Sequence, residues 1–157
     1  MNPLAKNKTV ATWLALLLGG LGAHRFYLHG WRDPIGWLFP LPTLVGLGGL
    51  VRMRNLGQDD LWAWLLIPVF GLMLTIALLS AIVIGLTPDE KWSARFRPGE
   101  PVQHNGWLVV IAMVIAMLLG GASLMGTMAF GGQKFFEYQA LRAAQGGAPA
   151  TPGVAPR

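Results

Sequence analysis

The sequence predicts an all-α integral membrane protein, with four transmembrane helices arranged as two antiparallel hairpins and a flexible C-terminal tail. Three observations predict it. Hydrophobic residues make up 54% of the 157 residues and charged residues only 12%, against the ~25% charged that a soluble domain carries. Two windows, Leu61 to Leu86 and Trp107 to Gly132, hold no charged residue over 26 positions each. Aromatic residues that favour membrane interfaces stand at or near segment ends: Trp13, Tyr27, Trp31, Trp62, Trp64, Trp92 and Trp107.

Residues 1–8 form a short N-terminal tail. The first predicted hairpin covers residues 9–51, with helices at about 9–28 and 34–51. Val10 to Ala23 alone is short for a span, but a helix continuing through His24-Arg25-Phe26-Tyr27 to Leu28 is long enough, with Arg25 snorkelling toward phosphate depth. A cleaved signal peptide is the competing reading, since Lys6 and Lys8 precede an apolar stretch; Leu21 fits poorly where cleavage requires a small residue. Asp33-Pro34 marks the start of the second helix, because Asp accepts from orphan amides and Pro suits the first helical position. Thr9 and Asp60 are placed to cap their helices in the same way.

Residues 52–60 make a loop, and 61–86 is the third helix. At ~1.5 Å per residue it reaches about 39 Å, longer than the ~30 Å hydrocarbon core. Residues 87–106 hold Pro88, Pro98, Gly99 and Pro101 among charges and read as an exposed loop. The fourth helix is 107–132. Residues 133–145 mix Phe135, Phe136, Tyr138 and Leu141 with Lys134, Glu137 and Arg142, as an interfacial helix or an extension of the fourth helix would. Residues 146–157 are almost entirely Gly, Ala and Pro and are predicted to be disordered.

Helix packing in lipid depends on small residues that let backbones approach. The fourth helix carries Ala112, Ala116, Gly120, Ser123, Thr127 and Gly131 at spacings of four, four, three, four and four, which keeps them on one face. Ala77, Ala81 and Gly85 make a shorter stripe on the third. The stripes join these two helices in one chain, or two chains in a dimer; the intrachain hairpin is the simpler arrangement.

With four spans, the N-terminus, the 52–60 loop and the tail share one side, which carries Lys6, Lys8, Arg52, Arg54, Lys134, Arg142 and Arg157. Arg25, Arg32, Lys91, Arg95 and Arg97 lie opposite. The bias of seven against five, with two lysines beside the first helix, puts both termini in the cytoplasm.

The most distinctive segment is Gly19-Gly20-Leu21-Gly22-Ala23-His24-Arg25-Phe26-Tyr27-Leu28. It resembles the Gly-x-x-Gly-Ala-His-Arg-Phe-Tyr-Leu-Gly pattern of the two-transmembrane (TM-two) domain family, called NINE-type proteins in bacteria, over about residues 6–60. This chain departs from the pattern at His29-Gly30, where the family has Gly directly after Leu, and in carrying Pro40 and Pro42 in its second helix. The resemblance implies a membrane address, here a bacterial inner (plasma) membrane, and leaves the biochemical role undefined. Gly19, Gly22 and Ala23 admit a neighbouring helix, while His24, Arg25, Phe26, Tyr27 and Asp33 are the candidate contacts to a partner or a lipid headgroup. Arg25 needs a partner, which can be a lipid phosphate, Asp33 across the turn, or the faces of Phe26, Tyr27 and Trp31.

With no cysteine, thiol nucleophiles, zinc–cysteine sites and ordinary iron–sulfur ligation are excluded. His24, His29 and His104 are too scattered for a metal site, and no HExxH, phosphate-loop or GxSxG pattern occurs. No catalytic residue, metal or cofactor is therefore predicted. Asp59-Asp60 and Asp89-Glu90 read as helix caps and solvated charge. A net charge of +5 is spread over both faces of the bilayer, which favours membrane lipids over nucleic acid as the counterpart. The expectation is a non-enzymatic multi-pass protein that binds or organises membrane partners through its His-Arg-Phe-Tyr turn, the partner being another membrane protein or a second copy. The alternative is a small oligomeric channel or transporter; against it, the third and fourth helices hold only Thr75, Ser80, Ser123 and Thr127 as polar groups.

Overall fold

A computed structural model of the chain describes residues 6–57 and 60–146; the predicted disordered tail beyond Gly146, Asp59 and Arg157 lie outside the described residues. Every regular element among the described residues is helical. They are α1 (Lys8–Leu18), α2 (Ala23–His29), α3 (Pro34–Leu38), α4 (Pro40–Leu56), α5 (Leu61–Leu86), α6 (Asp89–Phe96) and α7 (Trp107–Gly146), with a 3-10 turn at Gly19–Leu21 between α1 and α2.

Three helical stretches among them are long and apolar enough to cross a membrane: Pro34–Leu56, Leu61–Leu86 and Trp107–Ala144. The predicted first helix, 9–28, is not one helix. Asn7, rather than Thr9, caps α1 by accepting from the Thr9 amide at 2.8 Å. After 11 residues, about 17 Å of helix, the chain reaches Gly19 and Gly20, whose lack of a side chain makes helix costly. Gly22 then takes φ +73°, a left-handed conformation that ends the turn and reverses the chain. The predicted second helix is bent at Phe39-Pro40, because Pro40 has no amide to continue the ladder. Asp33 caps its start through the Ile35 amide at 3.2 Å, and Asp60 caps α5 through the Ala63 amide at 3.0 Å.

In the C-terminal half, one expected loop differs and one open alternative is resolved as a helix extension. The 87–106 connection contains the eight-residue α6, with Asp89 and Glu90 in its first turn and Arg95 in its last, the charge order that its dipole favours. Residues 133–145 extend the fourth helix without a break, giving a 40-residue α7 of about 60 Å.

Helix α5 is central. Its C-terminal half lies antiparallel to α1, with Lys8 at Thr87 and Gly19 against Ala77. Its N-terminal half lies antiparallel to α4, where a Cβ on Gly46 would fall 2.5 Å from the Phe70 nitrogen and one on Gly49 2.5 Å from the Leu66 Cβ. Along its other side runs α7: Gly85 meets Val109 and Met113, Leu78 meets Gly120, and Ser123 donates to the Gly71 carbonyl at 3.0 Å. Where α1, α5 and α7 converge, Ala15, Leu16, Leu78, Ala81, Ala112 and Ala116 form the buried core. Larger apolar residues point outward, Leu17, Met117 and Met125 among them, the inverse of a water-soluble bundle and the pattern lipid accepts.

Candidate functional site

The glycine-rich segment builds a hairpin that enters and leaves by the same end of the molecule. Gly19 allows α1 to touch α5: a Cβ there would stand 2.9 Å from that of Ala77. The Gly20 carbonyl accepts from Thr43 Oγ1 at 2.7 Å, tying the turn to α4. A Cβ on Gly22 would overlap the Gly36 carbonyl, so position 22 requires glycine both for its backbone angle and for space.

Beyond Gly22, α2 runs back beside α1. Tyr27 Oη accepts from the Asn7 amide at 2.9 Å, and the Lys6 ammonium donates to the Leu28 carbonyl. Leu28 packs on Ala11 and Trp92. Both ends of the hairpin thus sit beside α6, and its tip lies level with Ala77, about 15 Å along α5 from Thr87.

The polar motif residues are drawn into this construction. His24 is buried, its ring edge-on to Phe39 with centroids 5.4 Å apart. Its Nδ1 has no hydrogen-bond partner among the described residues. Of the partners within the chain open to Arg25, the described residues supply Asp33, whose Oδ2 accepts from Nε at 2.7 Å. That guanidinium hydrogen bond holds the Asp33 carboxyl below the usual carboxylate range, helped by the Ile35 amide. His29 approaches the same carboxylate at 3.8 Å. Phe26 covers Gly36 and stacks on Trp31, with centroids 5.2 Å apart and planes 16° apart; Trp37 closes the group at 5.2 Å from Phe26. Trp37 Nε1 donates to the Trp31 carbonyl at 2.9 Å. Trp31 remains 73% and Trp37 54% exposed, so this group is an aromatic ridge on the surface. Ala23 is half-buried at the start of α2.

The small residues fall as follows. Ala112 and Ala116 are buried, Gly120 faces Leu78, and Ser123 and Thr127 meet Gly71, all between α5 and α7 of one chain. Gly131 has open space beside it. The α5 stripe is divided: Ala77 touches Gly19 in the turn after α1, Ala81 enters the core shared by α1 and α7, and Gly85 touches α7.

One cluster escaped the sequence reading. Lys8 is buried, its Nζ donating to the Thr87 carbonyl at 2.6 Å and to Asp89 Oδ1 at 2.9 Å. Asn105 supplies its side-chain amide and its backbone N–H to the same carboxylate, at 2.8 and 3.1 Å. Burial pushes the Asp89 carboxyl up, but the Asn105 hydrogen bonds and Lys8 outweigh it and hold the group at about 2. The Thr87 carbonyl is that of the residue capping the C-terminus of α5, where the helix dipole favours a cation. Trp92, expected at the interface, is instead buried, its Nε1 donating to the Lys6 carbonyl at 3.0 Å. The available signal was Lys8 just before one apolar run and Asp89 just after another, which sequence alone leaves unpaired. Among the described residues no group of three His, Asp or Glu side chains is placed to hold a metal ion.

No curated protein and no solved structure matches this chain. A family model does match, that of the TM2 domain, over residues 5–53, which takes in the glycine turn, the His-Arg-Phe-Tyr sequence, Asp33 and most of α4. The chain is thus a membrane protein that carries a TM2 domain in its first third.

Proposed function

We propose that this chain is a non-enzymatic membrane protein with three spans and a re-entrant N-terminal hairpin, and that it binds a membrane partner through the aromatic ridge of that hairpin. The observation that carries the reading is the division of labour within the motif. Tyr27 is engaged within the hairpin, and Arg25 and His24 face Asp33 and Phe39 of the next helical stretch, whereas Phe26 carries Trp31 and Trp37 on its outer face. Charged and polar groups therefore set the geometry, and large amphipathic rings are left for contact.

Three spans also alter the charge count. The hairpin end holds Lys6, Lys8, Arg25, Arg32, Lys91, Arg95 and Arg97, and the opposite end Arg52, Arg54, Lys134 and Arg142, with Arg157 left out as distant from the last span. Without Arg157 the four-span count is six against five and the three-span count seven against four, which favours the hairpin end in the cytoplasm and the end of α7 outside, instead of two cytoplasmic termini.

The partner reading is tested by placing a photo-crosslinking amino acid at Trp31 and, separately, at the lipid-facing Met125 in the native membrane. The expected result is a defined protein adduct at Trp31 that copurifies in stoichiometric amount and is lost in Trp37→Ala. Adducts that are equal at both positions, or only to lipid at Trp31, would overturn it.

A further inference from the structure

A groove runs along the outside of the molecule between α2, α5 and α6. It consists of two adjoining hollows of about 270 and 290 Å³ that share Leu28, His29, Val83 and Ile84 as walls. The deeper hollow continues down α5 past Leu79 and Ile76, both exposed, so it opens sideways. The outer hollow ends at α6, where Lys91 and Arg95 line it one helical turn apart. Neither has a carboxylate within 4 Å among the described residues. Of the carboxylates near this end, Asp33 is engaged with Arg25, Asp89 with Lys8 and Asn105, and Glu100 with Arg97, while Glu90 in the first turn of α6 does not line the groove.

We propose that this groove is a binding site for one anionic phospholipid, its phosphate held by Lys91 and Arg95 beside His29 and an acyl chain lying on Val83, Leu79 and Ile76. Charge complementarity and the order of the lining carry the assignment. Unpaired cations stand where α5 ends, at headgroup depth for a helix of this length, and a trough that is apolar along α5 apart from Ser80, with His24 and the Asp33-paired Arg25 on its α2 wall, leads from them toward mid-membrane. A free phosphate would use only the upper half, and a zwitterionic lipid leaves the two cations uncompensated. The inference rests on the membrane insertion proposed above, but not on a protein partner.

The test is native mass spectrometry of the purified full chain in mild detergent, with phosphatidylglycerol and phosphatidylcholine of identical acyl chains. Two cations near the headgroup predict that one phosphatidylglycerol is retained with a preference of about tenfold to thirtyfold. Lys91→Gln with Arg95→Gln, both exposed positions, should reduce that preference to within about twofold. Leu79→Trp, which fills the trough and leaves the cations in place, should lower retention of both lipids. Equal retention of the two lipids by the unaltered chain, or an undiminished preference in the double variant, would overturn the proposal. Displacement of the lipid by glycerol phosphate at equal concentration would also overturn it, in favour of a free-anion site. None of these outcomes bears on the Trp31 crosslink, so the two readings fail separately.

Discussion

Lys8 and Asp89 are 81 residues apart in sequence, and they join the start of the hairpin to the end of the central helix. A buried ammonium is tolerable only with a paired charge and satisfied donors, and Lys8 has both in Asp89 and the Thr87 carbonyl. Removing one member of such a pair strands the other, so Asp89→Ala should destabilise the chain in detergent by about 3 kcal/mol, read as a lower denaturation midpoint. A conserved midpoint would show that the pair is spectator charge. The same carboxyl predicts an acid response. Its folded value of about 2 lies below its ordinary 3.8, so the unfolded chain binds the proton first. The stability it contributes is complete above about pH 5 and is lost as pH falls through 3.8 toward about 2. In Asp89→Asn that portion of the acid slope should be absent, whereas an identical slope in both proteins would assign the acid sensitivity elsewhere. Of these residues only the motif is legible in sequence. Arg25 and Asp33 are eight positions apart across a visible turn; Lys8 and Asp89 are brought together by the packing of α1 on α5.

At the scale of elements, glycine does two separate jobs. Gly22 reverses the chain, and alanine there would both occupy the left-handed region and strike the Gly36 carbonyl. The backbone term alone is ~1–2 kcal/mol, so Gly22→Ala should cost more than this, together with increased proteolysis between α1 and α2. A midpoint within experimental error of the unaltered chain would mean the turn has another conformation. Gly120 serves packing. A Cβ there would rest at an ordinary 3.4 Å from that of Leu78, so Gly120→Ala should be neutral or stabilising by up to ~1 kcal/mol. Gly120→Leu should separate α5 from α7 and cost about 1–3 kcal/mol; stability unchanged by leucine would place that face away from the interface. The stripe from Ala112 to Thr127 is legible because close backbone approach in lipid has few solutions, all requiring small residues at helical spacing. The break in the first helix is not. Apolar count and length read residues 9–28 as continuous, while the reversal depends on the sign of one φ angle and on α2 docking against Trp92 of α6, beyond the reach of any local window.

For the molecule as a whole, the consequence of that reversal is parity. On the proposed reading, an 11-residue α1 reaches about half the depth of the hydrocarbon core and returns as α2, leaving Pro34–Leu56, Leu61–Leu86 and α7, the stretches long and apolar enough, to cross. In the proposed topology, odd crossings put the ends of the described chain on opposite sides, and the excess of lysine and arginine at the hairpin end favours that side as the cytoplasmic one. Helix α7 would then project past the bilayer at the other surface, because its 40 residues exceed what a span requires. Hydrophobic content made the membrane assignment legible at once; the number of crossings turns on one half-length helix pair. The natural absence of cysteine allows this to be measured directly. Single substitutions Asn2→Cys, Arg32→Cys and Asn55→Cys, labelled in sealed vesicles with a membrane-impermeant maleimide, report the side of the N-terminus, of the hairpin's exit and of the α4–α5 loop. The re-entrant account predicts that positions 2 and 32 react from one side and position 55 from the other; reaction of positions 2 and 55 from one side, with 32 opposite, would contradict it and establish four crossings.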